Sequence, residues 1–90
     1  MSQAIGMIET KGMVGLVSAS DAMCKAASVK LAKTIQIGGG YVTVLVLGDV
    51  GSVRAAVEAG AESVKASGGT LVSTHMIANP HDGLIEGFLK

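Results

Sequence analysis

The chain has 90 residues, and its seven basic and seven acidic side chains cancel to a formal net charge of zero, so it lacks the basic excess with which proteins hold nucleic acid or acidic membranes. Hydrophobic residues make up 49%, but with one Tyr, one Phe and no Trp the apolar matter is Ala, Val, Ile, Leu and Met, and each such side chain buries little area. The single cysteine, Cys24, excludes an internal disulfide and fits a reducing compartment.

This length predicts one domain spanning 1–90, with a core small enough that subunit contacts should add to its stability. Met1 to Ala4 lacks the basic start and apolar core of a signal peptide. The longest apolar run is far short of a membrane span. The expectation is a soluble cytoplasmic protein that forms oligomers.

Taken in order, Ala4 to Thr10 has strand character, with Ile5, Met7 and Thr10 assigned to one side and Ile8 to the other. Gly6 within it marks a close backbone approach. Ser18-Ala19-Ser20-Asp21 reads as the opening of a helix, with Ser18 or Ser20 as N-cap. Its inner face is Ala19, Ala22, Met23, Ala26 and Ala27, and its outer face is Ser18, Asp21, Lys25 and Ser28. Asp21–Lys25 is an i,i+4 pair, and Lys30 and Lys33 suit the negative end of that helix. Cys24 falls at the border of the apolar face and reads as a packed, inert thiol.

Leu31 to Ile37 is the second strand and Tyr41 to Leu47 the third, joined by Gly38-Gly39-Gly40 as a tight turn that needs positive φ. Asp49 caps a second helix with Val53, Ala56, Val57, Gly60, Ala61 and Val64 inside, and Arg54, Glu58, Glu62 and Lys65 outside. Gly60 costs about 1 kcal/mol against Ala in a helix interior, so close packing is its expected reason. Gly68-Gly69 stops this helix. Thr70 to Ile77 is the fourth strand, broken by Asn79-Pro80, and a short helix follows within His81 to Leu89.

The order is β-α-β twice, with the halves meeting at the glycine turn. Right-handed crossovers then give an α+β, ferredoxin-like variant: a four-stranded antiparallel sheet, two main helices on one face, and a short C-terminal helix covering part of the other.

Sites for chemistry are sparse. The glycine run fails the GxxxxGK[ST] pattern, and Thr43 stands where a GxGxxG loop needs glycine. A strand follows it, where both loops need a helix. His75 and His81 with a distant Cys24 have no metal-ligand spacing, and His75 reads as a structural or interface residue. No serine sits in a GxSxG elbow. No set of nucleophile, base and orienting group can be assembled. The expectation is therefore no enzyme, no catalytic residue, no metal and no cofactor.

Several stretches together resemble the hexamer-forming bacterial microcompartment shell proteins: Ala4-Ile5-Gly6-Met7-Ile8-Glu9-Thr10-Lys11-Gly12, Ala19 to Ala27, Ile37-Gly38-Gly39-Gly40-Tyr41-Val42-Thr43-Val44, Gly48-Asp49-Val50, and Thr74 to His81. The resemblance spans nearly the whole chain. It implies a cyclic homohexamer that tiles edge to edge with neighbouring shell hexamers and other shell proteins around enclosed enzymes. Gln36, Ile37, Gly38, Gly39 and Gly40 match the family's pore loop, which would admit small polar metabolites or anions. Lys25 and Asn79-Pro80-His81 match the edge where hexamers meet. Three positions depart from the family pattern. Asn79 stands where Arg is usual, Leu47 stands where a basic residue commonly precedes Gly-Asp, and Gly83 to Lys90 lacks the common Leu-Pro ending.

Two functions remain in view. One is the structural shell tile with a glycine-lined pore. The alternative is a small-molecule-binding regulatory domain of ferredoxin-like fold, in which the glycine turn would hold an effector. Neither involves nucleic acid or a membrane.

Overall fold

A computed structural model describes residues 3–89. The elements run β1 (Ala4–Lys11), α1 (Met13–Ala26), β2 (Lys30–Gln36), β3 (Tyr41–Gly48), α2 (Val50–Ala66), β4 (Thr70–Ile77) and α3 (Asp82–Leu89). All strand pairs are antiparallel, in the order β2-β3-β1-β4. This is the expected ferredoxin-like arrangement.

The central strands β1 and β3 alternate. Ile8 and Thr10 join Val42, Val44 and Val46 beneath the helices, in a core completed by Leu16, Ala19, Met23, Ala56 and Val64. Alternation puts every second residue on one face, so Thr10 shares the face of Ile8, not that of Ile5 and Met7. It is fully buried, with its hydroxyl donating to the Gly12 carbonyl at 3.0 Å. The other face carries Ile5, Met7 and Leu45. With Ile77 and Leu84 of α3 they line a cavity of about 50 Å³. The C-terminal helix thus covers one end of that face through Leu84.

α2 follows expectation closely. The Asp49 carboxylate accepts from the Ser52 backbone N–H at 2.9 Å and from its hydroxyl at 2.8 Å. Val53, Ala56, Gly60 and Val64 are buried, while Val57 and Ala61 are half-buried. A Cβ on Gly60 would lie 2.5 Å from Ile8 Cδ1 and 2.8 Å from Met23 Cγ. The glycine lets α2 settle onto both α1 and the sheet. Arg54 and Glu58, four residues apart on the outer face of α2, do not pair with each other, whereas Asp21 and Lys25 of α1 do, at 2.8 Å.

α1 differs from expectation at both ends. It begins at Met13, five residues before Ser18, after Gly12 at φ 93°, with no side-chain cap. Its first five residues expose Met13, Val14 and Val17, and this hides the amphipathic period. Ser18 is no cap. Its Oγ lies 2.6 Å from Ser63 Oγ across the α1–α2 contact. The Ser20 hydroxyl donates back to the Leu16 carbonyl at 2.8 Å. The buried stripe is Gly15, Leu16, Ala19 and Met23, with Ala22 and Ala27 half-buried and Ala26 exposed. Cys24 is exposed instead of packed, because the stripe runs on the side of Met23. Lys30 and Lys33 belong to β2, and Lys25 is the basic residue of the last helical turn.

Candidate functional site

The β2–β3 loop is built by three successive glycines at φ 64°, 70° and 82°. A side chain rarely adopts this region, and in a run of three only glycine does so without strain. The Tyr41 N–H donates to the Gly38 carbonyl at 3.4 Å, and the Ile37 N–H to the Tyr41 carbonyl at 3.2 Å. A third bond leaves the loop: the Gly12 N–H donates to the Gly40 carbonyl at 2.7 Å. The start of α1 therefore anchors the loop. Gln36 to Gly40 are all exposed.

Flanking residues that sequence reading passed over complete this end. In the β1–β3 ladder Lys11 stands opposite Tyr41. A Cβ on Gly39 would lie 3.3 Å from the Tyr41 ring, and one on Gly40 would lie 3.9 Å from Lys11 Cγ. On the helix side Met13, Leu16, Thr34, Ile35, Gln36 and Val42 line a second cavity of about 110 Å³. The signal for Met13, Val14 and Val17 was present as an apolar run, but its exposure depends on where α1 starts.

The matched edge residues lie at the opposite end. Ile77 pairs with Ile5, and Ala4 pairs with Gly48, so Asn79-Pro80-His81 leaves the sheet where β3 ends. α1 finishes there too, with the Ser28 carbonyl 3.2 Å from a Cβ built on Gly48. From Tyr41 to Gly48 is roughly 23 Å at the usual strand rise. The fold thus brings Lys25 and Asn79-Pro80-His81 to one end and sends Gln36 to Gly40 to the other.

Each edge residue has a local partner or setting. The Asp21 carboxylate accepts a hydrogen bond from Lys25 and adds its charge, which together raise the lysine pKa above its usual value. His81 Nδ1 accepts from the Gly83 N–H at 3.0 Å, and the His81 carbonyl accepts from the Leu84 N–H at 2.9 Å, so this histidine caps α3. Asn79 is exposed and Pro80 half-buried. His75 is exposed on β4 beside Met7. Among the described residues no group of three His, Cys, Asp or Glu side chains could hold a metal ion. No helix there is long and apolar enough to cross a membrane.

Residues 4–80 match the BMC domain family. The chain is 55% identical over 78 residues to carboxysome shell protein CsoS1A of Hydrogenovibrio crunogenus, covering 87% of this chain and 81% of that protein. It is 54% identical over 81 residues to carboxysome shell protein CsoS1 of Prochlorococcus marinus, covering 90% of this chain and 79% of the relative. A crystal structure of a microcompartments protein from Desulfitobacterium hafniense DCB superposes with a TM-score of 0.82 at 29% identity, over 91% of this chain and 44% of that one.

Proposed function

This chain belongs to the BMC domain family, and from that premise we propose that it is a structural shell protein of a bacterial microcompartment, of the carboxysome type. It works without catalysis. Its copies form a cyclic hexamer, and hexamers tile edge to edge in the cytoplasm, together with other shell proteins, around enclosed enzymes. Gln36, Ile37, Gly38, Gly39 and Gly40 line the central pore. Lys25, Asn79, Pro80 and His81 form the hexamer–hexamer edge.

One observation carries this reading: the glycine loop and the matched edge residues occupy opposite ends of a single sheet. A wedge in a ring needs one end at the axis and the other at the rim. A head-to-tail ring also needs apolar surface on its flanks. Met13, Val14 and Val17 supply it beside the loop, with Val14 80% exposed in the isolated chain. Glycines at the axis leave the aperture lined by backbone groups, which suits small polar metabolites or anions.

Size-exclusion chromatography with light scattering tests the assembly. The expected particle has six times the 9.0 kDa chain mass and forms sheets or tubes in micrographs when concentrated. A smaller discrete oligomer, stabilised by a small molecule, would replace this reading with that of a regulatory domain.

A further inference from the structure

We infer that His81 is a pH-sensitive latch on the C-terminal helix: its neutral ring holds the start of α3 over an apolar patch of the sheet, and proton uptake releases it. The latch lies within one chain, so it does not rest on the ring reading above.

α3 is poorly equipped to stand alone. It has eight residues, of which Gly83 and Gly87 are glycine, and helices this short are marginal in water. Part of what holds it is apolar. Leu84 lines a cavity of about 50 Å³ with Ile5, Met7, Leu45 and Ile77, on the sheet face turned away from α1 and α2, and Leu84 and Ile85 are half-buried. His81 supplies the polar part. Its carbonyl accepts from the Leu84 N–H at 2.9 Å and from the Ile85 N–H at 3.4 Å, and its Nδ1 accepts from the Gly83 N–H at 3.0 Å. One residue thus takes three of the four donors that a helix start leaves without intrahelical partners.

The position is an N-cap, where Ser, Thr, Asp and Asn are usual. None of those acceptors changes charge near neutrality, whereas histidine does. Nδ1 accepts through a single lone pair, and a proton taken up there turns the acceptor into a donor. The Gly83 N–H then faces another donor, and a full positive charge stands at the positive end of the helix. Both effects loosen the same turn. His81 is exposed, so solvent protons reach the ring.

The charged and titratable groups around this seat are Asp82 and Glu86 on α3, Glu9 on β1, Lys30 and Lys33 on β2, paired with Leu47 and Leu45, and His75 on β4, paired with Met7. Carboxylates and lysines ordinarily keep one charge state between about pH 5 and pH 8, so His75 is the group to separate from His81.

Hydrogen–deuterium exchange of the full chain tests the latch, with the rates of the Leu84 and Ile85 amides divided by their intrinsic rates at each pH. Between about pH 8 and pH 5, the span in which histidine changes charge, wild-type protection should fall roughly two- to thirtyfold, the range of a lost N-cap. Binding of anilinonaphthalene sulfonate, which reports exposed apolar surface, should rise over the same span. His81→Asn keeps an acceptor that does not titrate, and should hold both readouts level. His81→Asp should do the same, since aspartate stays ionised down to about pH 4. His75→Gln should keep the wild-type response. Wild-type protection that is level with pH, a response that survives in both His81→Asn and His81→Asp, or one that disappears in His75→Gln would overturn the latch.

Discussion

The Gly12 N–H and the Gly40 carbonyl oxygen are 2.7 Å apart, and both residues have positive φ, 93° and 82°. Neither position meets a steric wall: nothing lies within 4 Å of a Cβ on Gly12, and the only neighbour at Gly40 is Lys11 Cγ. Substitution there tests backbone conformation alone. Gly12 also has ψ 150°, a region essentially reserved for glycine that costs about 1–3 kcal/mol for other residues. Gly12→Ala should therefore destabilise the protein by that amount in denaturant titration. Loosening the anchor should also raise exchange of the Ile37 and Tyr41 amides, the two that the loop holds in hydrogen bonds. Protected loop amides in Gly12→Ala would count against the anchor.

Gly60 sets helix propensity against packing. Alanine gains about 1 kcal/mol in a helix interior. Its methyl, however, would enter a space already held by Ile8 Cδ1, Met23 Cγ and the Ala19 carbonyl oxygen, the last at 3.3 Å. Overpacking a core costs about 1–3 kcal/mol, and a backbone atom cannot swing aside, so packing should win. Gly60→Ala is expected to lower the denaturation midpoint. Ile8→Val removes the nearest atom, so the double variant should lose less than the sum of the singles. Strict additivity would place the strain elsewhere.

Gly60, Asp49 and the fourth strand were legible because their signals are local. A glycine amid a helical stripe, an aspartate before one, and a run rich in β-branched residues between Gly69 and Pro80 each carry their meaning in a few residues. The four-stranded antiparallel sheet with both main helices on one face followed from two β-α-β units and the handedness of their crossovers. The start of α1 was not legible. Gly12 gives no capping side chain, and Met13, Val14 and Val17 face solvent in the isolated chain, so the apolar period emerges only from Leu16 onward. Ser18 carries a cap signal but spends its hydroxyl on Ser63, 45 residues away. Lys11 was hidden for a related reason. Its place beside Gly40 depends on β1–β3 register, which no window of the sequence contains.

Acid should weaken the start of α2. The backbone N–H of Ser52, then its hydroxyl, hold the Asp49 carboxyl below the usual carboxylate range. A lowered folded-state pKa means that the unfolded chain takes up the proton first. The stabilisation is therefore present above the ordinary aspartate pKa and is lost as pH falls through the lowered value. Asp49→Asn keeps an acceptor for the Ser52 N–H but has no charge to lose. The wild type should be the more stable of the two at neutral pH, and the gap should close below about pH 4, where free aspartate protonates. Thermal melts across roughly pH 2.5 to 7, a span that brackets that protonation, check this. A gap independent of pH would show that the carboxylate's charge contributes nothing at this cap.

The rim gives the last prediction. Lys25 is held along its own helix by Asp21, and His81 is turned to the Gly83 N–H. Of the proposed edge residues, Asn79 is exposed and neutral, with a short reach. An arginine there would carry a planar guanidinium with five donors, suited to the carbonyls and carboxylates of an approaching neighbour. Nothing in the sheet need move to admit it, since position 79 follows β4 and faces solvent. Asn79→Arg should leave the mass of the ring unchanged and lower the protein concentration at which sheets or tubes appear in micrographs. Assembly that is unchanged or poorer would remove position 79 from the contact between rings.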